Sequence, residues 1–130
     1  MRYLLDVNAL IAYGFRRHSF HNQVGAWMQS HRSERFFTCS ITELGFVRVL
    51  GNVRTYGLDV ARARTMLLSL KTNKTMPIDF LADGNDLNSL PSWVKSPQQL
   101  TDGHLLHLAK AHNAVLATFD NGIPGAHLIP

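Results

Sequence analysis

The chain has 130 residues, 45% of them hydrophobic and 17% charged, which suits one globular domain over residues 1–130 and excludes an unfolded chain. Thirteen basic residues against nine acidic ones leave a net charge of +4, a balance that favours a polyanionic partner such as nucleic acid. No apolar run approaches the roughly 20 residues that cross a bilayer, no secretory leader is recognisable, and the lone Cys39 excludes a disulfide framework or a multi-cysteine metal site; the expected compartment is the cytoplasm.

Tyr3-Leu4-Leu5 forms a short apolar strand that reaches Asp6 and Asn8, and Ala9 to Tyr13 reads as a helix ending near Gly14. After the basic knot Arg16-Arg17-His18, Ser19 is placed to cap a helix in which Phe20, Val24, Trp27 and Met28 share one face. Arg35 to Cys39 is the second expected strand. Ser40-Ile41-Thr42-Glu43 matches a capping box and opens a helix to about Leu50. Gly51-Asn52 and Tyr56-Gly57 punctuate a turn region, and Asp59 to Leu70 is helical with Val60, Ala63, Leu67 and Leu70 aligned.

Met76 to Leu81 reads as a strand whose Pro77 favours an edge. Asp83 to Trp93 is irregular, and Ser96-Pro97-Gln98-Gln99 is a short capped helical turn. Thr101 is placed to cap a helix from Asp102 to about His112, with Asn113 at its end. Ala114 to Phe119 is a buried strand leading to the turn Asp120-Asn121-Gly122, and His127 to Ile129 adds a last short strand. Alternating strands and helices predict a mostly parallel sheet with helices on both faces.

Four acids fall at comparable junctions: Asp6, Glu43, Asp102 and Asp120. Each has an ordinary structural use. Asp6 can cap a helix, Glu43 can close the box with Ser40, Asp102 suits a helix N-terminus, and Asp120 can shape a turn. Helical spacing adds something further for the middle pair. Glu43 shares a face with Phe46, Val47 and Leu50, and Asp102 shares one with Leu105, Leu106 and Ala109. Both carboxylates are therefore expected to point inward, where an unpaired charge is costly. In open α/β sheets, ligands bind at the carboxyl ends of the strands. Four carboxylates meeting there, with no cysteine or multiple-histidine cluster, suit Mg²⁺ or Mn²⁺ and hydrolysis of a phosphodiester by an activated water. Without these four acids, thirteen bases face five acids, a net +8 that fits polyanion binding.

The stretches Leu5-Asp6-Val7-Asn8, Ile41-Thr42-Glu43-Leu44-Gly45-Phe46-Val47-Arg48-Val49-Leu50, Leu100-Thr101-Asp102-Gly103-His104-Leu105-Leu106-His107-Leu108-Ala109 and Leu116-Ala117-Thr118-Phe119-Asp120, in this order, span nearly the whole chain. In them the sequence resembles the PIN domain family and, more narrowly, the VapC-type toxin ribonucleases of prokaryotic toxin–antitoxin pairs. The resemblance implies a three-layer α/β/α fold around a central, mostly parallel sheet of four or five strands. It implies that Asp6, Glu43, Asp102 and Asp120 hold Mg²⁺ or Mn²⁺, with Asp6 and Asp102 as the firmest ligands and Asp120 more often acting through water. Asn8 and Thr118 match the polar positions beside them. Endoribonuclease action on RNA, a homodimer and a small cognate antitoxin protein that sends a peptide into the acidic site are further implications. The chain departs from the pattern at Gly103, where the family usually carries alanine.

Arg16, Arg17, Arg48 and Arg54, with Arg62 and Arg64, are candidate RNA phosphate contacts; Arg48 lies about one and a half turns beyond Glu43. His104 and His107 stand at i, i+3, the spacing of a zinc pair, but lack a third ligand of suitable spacing, so a surface role is expected for them. Trp27 is expected in the core, while Trp93 can stack on a base or fill an interface. No glycine-rich phosphate loop occurs. Two other functions remain open: a binding module of the same fold that holds RNA or protein without cutting, and a nuclease acting on DNA, since an acidic site does not itself read the 2′-hydroxyl.

Overall fold

The structure is a computed structural model that describes residues 1–130. Its centre is β1 (Arg2–Leu5), whose Tyr3, Leu4 and Leu5 are all buried. β2 (Arg35–Cys39) and β4 (Val115–Thr118) pair with it on either side, β3 (Ile78–Leu81) lies outside β2, and β5 (His127–Leu128) lies outside β4. The order is β3-β2-β1-β4-β5, and all four pairings are parallel. The expected mostly parallel sheet is thus five-stranded and wholly parallel, with β3 at an edge as Pro77 predicts.

Both faces of such a sheet must be covered, so its strands read as apolar runs rather than alternating ones. Tyr3, Leu5, Phe36, Ile78 and Ala117 face one side, where they pack with Leu10 of α1 (Val7–Gly14), Met28 of α2 (His21–Ser30), Phe46 of α3 (Ser40–Leu50) and Leu67 of α5 (Val60–Lys71). Leu4, Phe37, Leu81 and Leu116 face the other, where α6 (Leu100–Ala111) supplies Leu105, Leu106, Leu108 and Ala109. These are the three layers α/β/α. Trp27 is in the first core; Trp93 is half-buried against the second. Of the aligned residues of α5, Ala63 and Leu67 are buried, whereas Val60 is exposed.

Several helix starts differ from the sequence expectation. α2 begins at His21 behind Phe20, so Ser19 is not its cap. The box at α3 is made one residue earlier than the S-x-x-E pattern: Thr42 Oγ1 accepts from Cys39 N at 2.9 Å, and the Glu43 carboxylate is left free of capping duty. Thr101 lies inside α6, which a 3₁₀ turn over Pro97–Gln99 leads in, capped by Ser96 as the sequence indicates. The turn region after Gly51 contains a single helical turn, α4 (Val53–Tyr56), capped by Asn52 Oδ1 on Thr55 N at 3.1 Å. Asn113, at φ 54°, ends α6 in the left-handed conformation that asparagine tolerates. No helix is long and apolar enough to cross a membrane.

Candidate active site

From β1 the sheet grows one way through β2 and β3 and the other way through β4 and β5, so the carboxyl ends of β1 and β4 flank a topological switch point, the place where open α/β sheets bind ligands. Asp6 is the first residue past β1. Its backbone N–H donates to Ala117 O at 2.9 Å, and its side chain is buried. Asp6 Oδ1 accepts from Val7 N at 2.7 Å, which is the helix cap that the sequence allows. Its second oxygen, Oδ2, accepts from the Thr118 hydroxyl at 2.8 Å.

Thr118 is fully buried at the end of β4 and works in both directions: its oxygen accepts from Asp120 N at 3.0 Å while its proton goes to Asp6. Asn8 Oδ1 accepts from Phe119 N at 3.3 Å and stands 3.4 Å from the Thr118 oxygen. Asp120 is exposed, and its Oδ1 takes Gly122 N at 2.8 Å, so it does shape the turn. Asp6, Asn8, Thr118 and Asp120 therefore form one hydrogen-bonded group.

Asp102, in the first turn of α6, is half-buried, and its carboxyl is pushed up to about 6, first by burial and then by the charges of Asp6 and Asp120. Asp6 is also raised, by burial foremost; the Thr118 and Val7 hydrogen bonds oppose the shift, and the Asp120 charge adds to it. The three aspartates thus feel one another, and no lysine, arginine or histidine is ion-paired to any of them. The next residue, Gly103, lies under Val94. A Cβ at this position would meet Val94 Cγ2 at 2.3 Å, so alanine here would require Val94 to shift.

Glu43 is different. Its Oε2 accepts from the Thr38 hydroxyl at 2.5 Å and is ion-paired to Lys71 Nζ at 2.7 Å. The Lys71 ammonium also lies 5.3 Å from the centre of the Phe80 ring. Glu43 faces a groove of about 640 Å³ between α3 and α5, with walls of Leu44, Val47, Val60, Leu67 and Phe80. The four expected acids are thus three aspartates that share their charge and a glutamate whose charge is already compensated.

The donor set is all carboxylate, which is the chemistry of hard cations such as Mg²⁺ or Mn²⁺. As they stand, no three acidic, histidine or cysteine side chains are gathered closely enough to hold an ion together. Magnesium sites are commonly of this open kind, made by one or two carboxylates while the ion keeps several waters. The donor chemistry fits such an ion, because Asp6, Asp102 and Asp120 feel one another's charge and no basic side chain is ion-paired to any of them.

Two features escaped the sequence reading. Lys71 ends α5 and carries no local signal of its pairing with a residue 28 positions away. His104 is buried, not superficial as expected: its Nε2 lies 2.5 Å from Asp83 Oδ2. Burial pushes Asp83 up, but the hydrogen bonds and charge of His104, with Asn85 N and His112, outweigh it and hold the carboxyl below its ordinary range. His107, by contrast, is half-buried on the same helix. Arg16, Arg17, Arg48 and Arg54 are all exposed and outside any ion pair, with Arg17 over the Phe15 ring at 5.5 Å.

Residues 3–126 match the PIN domain family. Ribonuclease VapC38 of Mycobacterium tuberculosis (strain ATCC 25618 / H37Rv) is 37% identical over 124 residues, covering 92% of this chain and 86% of the relative. Ribonuclease VapC44 of Mycobacterium tuberculosis (strain CDC 1551 / Oshkosh) is 35% identical over 137 residues, covering 97% and 94%. Among solved structures, VapBC2 from Rickettsia felis bound to a DNA fragment from their promoter superposes with a TM-score of 0.64 at 13% identity, covering 98% of this chain and 97% of that one. Mycobacterium tuberculosis VapC20, a sarcin-ricin loop cleaving toxin, gives 0.65 at 8% identity, covering 98% and 99%. At such identities the superpositions speak for the fold alone.

Proposed function

The chain belongs to the PIN domain family, with VapC ribonucleases among its relatives, and from that premise we propose that residues 1–130 are a single nuclease domain whose acidic site cuts RNA as the toxin of a toxin–antitoxin pair. The observation that carries the reading is the trio Asp6, Asp102 and Asp120, three carboxylates at a strand switch point with no protein cation among them. Asp6 and Asp120 also serve the local backbone, but the mutual repulsion of the three charges works against folding.

Asp6 and Asp102 would hold a divalent cation, Mg²⁺ or Mn²⁺, with Asp120 beside them from the exposed turn. A cation there supplies charge to neutralise the phosphate and lowers the pKa of an attacking water. Thr118 and Asn8 orient the carboxylate of Asp6 and the backbone that carries Asp120. Arg16, Arg17, Arg48 and Arg54 are free to contact phosphates along the strand.

A cognate antitoxin protein is the expected partner, a homodimer the expected assembly and the cytoplasm the expected location.

The test is chelator-sensitive cleavage of matched RNA and DNA strands by wild type, Asp6→Asn and Asp102→Asn. Loss of metal-dependent RNA cleavage in both variants, with wild-type circular dichroism, is the expected result. Cleavage at the wild-type rate by either variant would overturn the site. Equal cutting of the DNA strand would remove the RNA specificity, and binding of RNA without cleavage by wild type would leave a binding module.

A further inference from the structure

Of the four acids, Glu43 alone has a cation of the protein bound to it, and three separate elements converge to keep it there. Thr38 comes from β2, fully buried, and gives its hydroxyl to Glu43 Oε2 at 2.5 Å. Lys71 comes from the last turn of α5 and places its ammonium 2.7 Å from the same oxygen. Phe80 comes from β3 and lies beneath the ammonium at 5.3 Å. The two charged side chains are only about one-fifth exposed, 21% for Lys71 and 23% for Glu43, so water screens them less than a surface pair.

We propose that Lys71 is a positioning residue that locks Glu43 in an ion pair and thereby sets the cation affinity of the site, leaving Asp6, Asp102 and Asp120 as its working ligands. The inference rests on the metal-site reading above. It follows from placement and charge balance: Glu43 stands in the first turn of α3, directly after β2, and β2 pairs in parallel with β1, whose end carries Asp6. A carboxylate that already holds an ammonium contributes little net negative charge to a second cation, and engaging Glu43 fully would require the ion to displace Lys71 from a half-buried contact. The lock keeps affinity low enough for the ion to exchange, while the three aspartates stay uncompensated and receptive.

The prediction is read by calorimetric titration of Mn²⁺ and Mg²⁺ into the chelator-treated protein, with no RNA present. Lys71→Met and Lys71→Gln should each bind about tenfold more tightly than wild type; the Gln variant keeps an N–H donor for Glu43 but not the charge. Glu43→Gln should change affinity less than threefold in the wild-type background and at least tenfold in the Lys71→Met background. Thr38→Val removes a hydroxyl without altering charge, so it should lower the melting temperature and leave affinity within twofold.

Unchanged or weaker binding by both Lys71 variants would overturn the lock, as would an equal effect of Glu43→Gln in the two backgrounds. Asp102→Asn in the same titration separates this outcome from failure of the site. If Asp102→Asn binds as wild type, the acidic site itself is wrong. If it loses binding while the Lys71 variants match wild type, only the lock is wrong.

Discussion

The hydroxyl of Thr118 donates to Asp6 Oδ2 across 2.8 Å, joining two residues 112 positions apart. It ties the end of β4 to the end of β1 and holds the second oxygen of a buried carboxylate, while its own oxygen satisfies Asp120 N. Thr118→Val keeps the shape and removes all of this. It leaves one carboxylate oxygen and one backbone N–H short of a partner, at an expected cost of about 1–3 kcal/mol in urea unfolding. Divalent-cation affinity should fall with it, because Asp6 Oδ2 loses the hydrogen bond that fixes its position while Oδ1 stays on Val7 N.

Asp102→Asn is expected to trade function for stability. With Asp102 ionised, the chelator-treated wild type carries three mutually repelling aspartates. Removing one charge should stabilise the metal-free protein at pH 7.5 by about 1–2 kcal/mol, a figure discounted for the partial exposure of the group. Thermal unfolding should show a rise of a few degrees. Cation binding should reverse the order, raising the melting temperature of wild type and not that of the variant.

The raised Asp102 carboxyl also sets a pH window. In the unfolded chain it ionises near its ordinary value of 3.8, and in the folded protein near 6. Between these values the folded state binds more protons, so the contribution of Asp102 to metal-free stability falls as pH rises from about 4 to about 6, then levels off. Cation affinity runs the other way. Each ion must replace a proton, so binding measured from pH 7 down to pH 5 should weaken by up to about tenfold per unit below pH 6.

Gly103 gives a packing test beside the site. Alanine has the better helix propensity by about 1 kcal/mol, yet its methyl would strike the stiff Val94 side chain at 2.3 Å. Overpacking of this kind costs about 1–3 kcal/mol, so Gly103→Ala should destabilise on balance. Combining it with Val94→Ala removes the obstacle. In chemical denaturation the double variant should then be more stable than Val94→Ala alone, by roughly the propensity difference.

The parallel sheet and the inward faces of α3 and α6 were legible because they depend on local periodicity. Phe46 and Leu50 are buried on the face that carries Glu43, and Leu105, Leu106 and Ala109 on the face that carries Asp102. Caps were less legible. Asp59, Asn52 and Ser96 act as their types suggest, but Ser19 and Thr101 do not cap, because any polar residue near a helix start satisfies the same pattern. The box at Cys39 and Thr42 escaped because a cysteine rarely stands at an N-cap.

By itself the sequence determined which residues are apolar at which spacing, and hence the α/β/α layering and the four acids at its junctions. Only the tertiary structure decided how those acids divide. Lys71 reaches Glu43 because α5 ends beside α3, and Thr118 reaches Asp6 because β4 runs parallel to β1. His104 meets Asp83 because the chain after β3 returns over α6. A charge is compensated or not according to what lies within a few ångströms, and for these pairs that neighbour is 21 to 112 residues away along the chain.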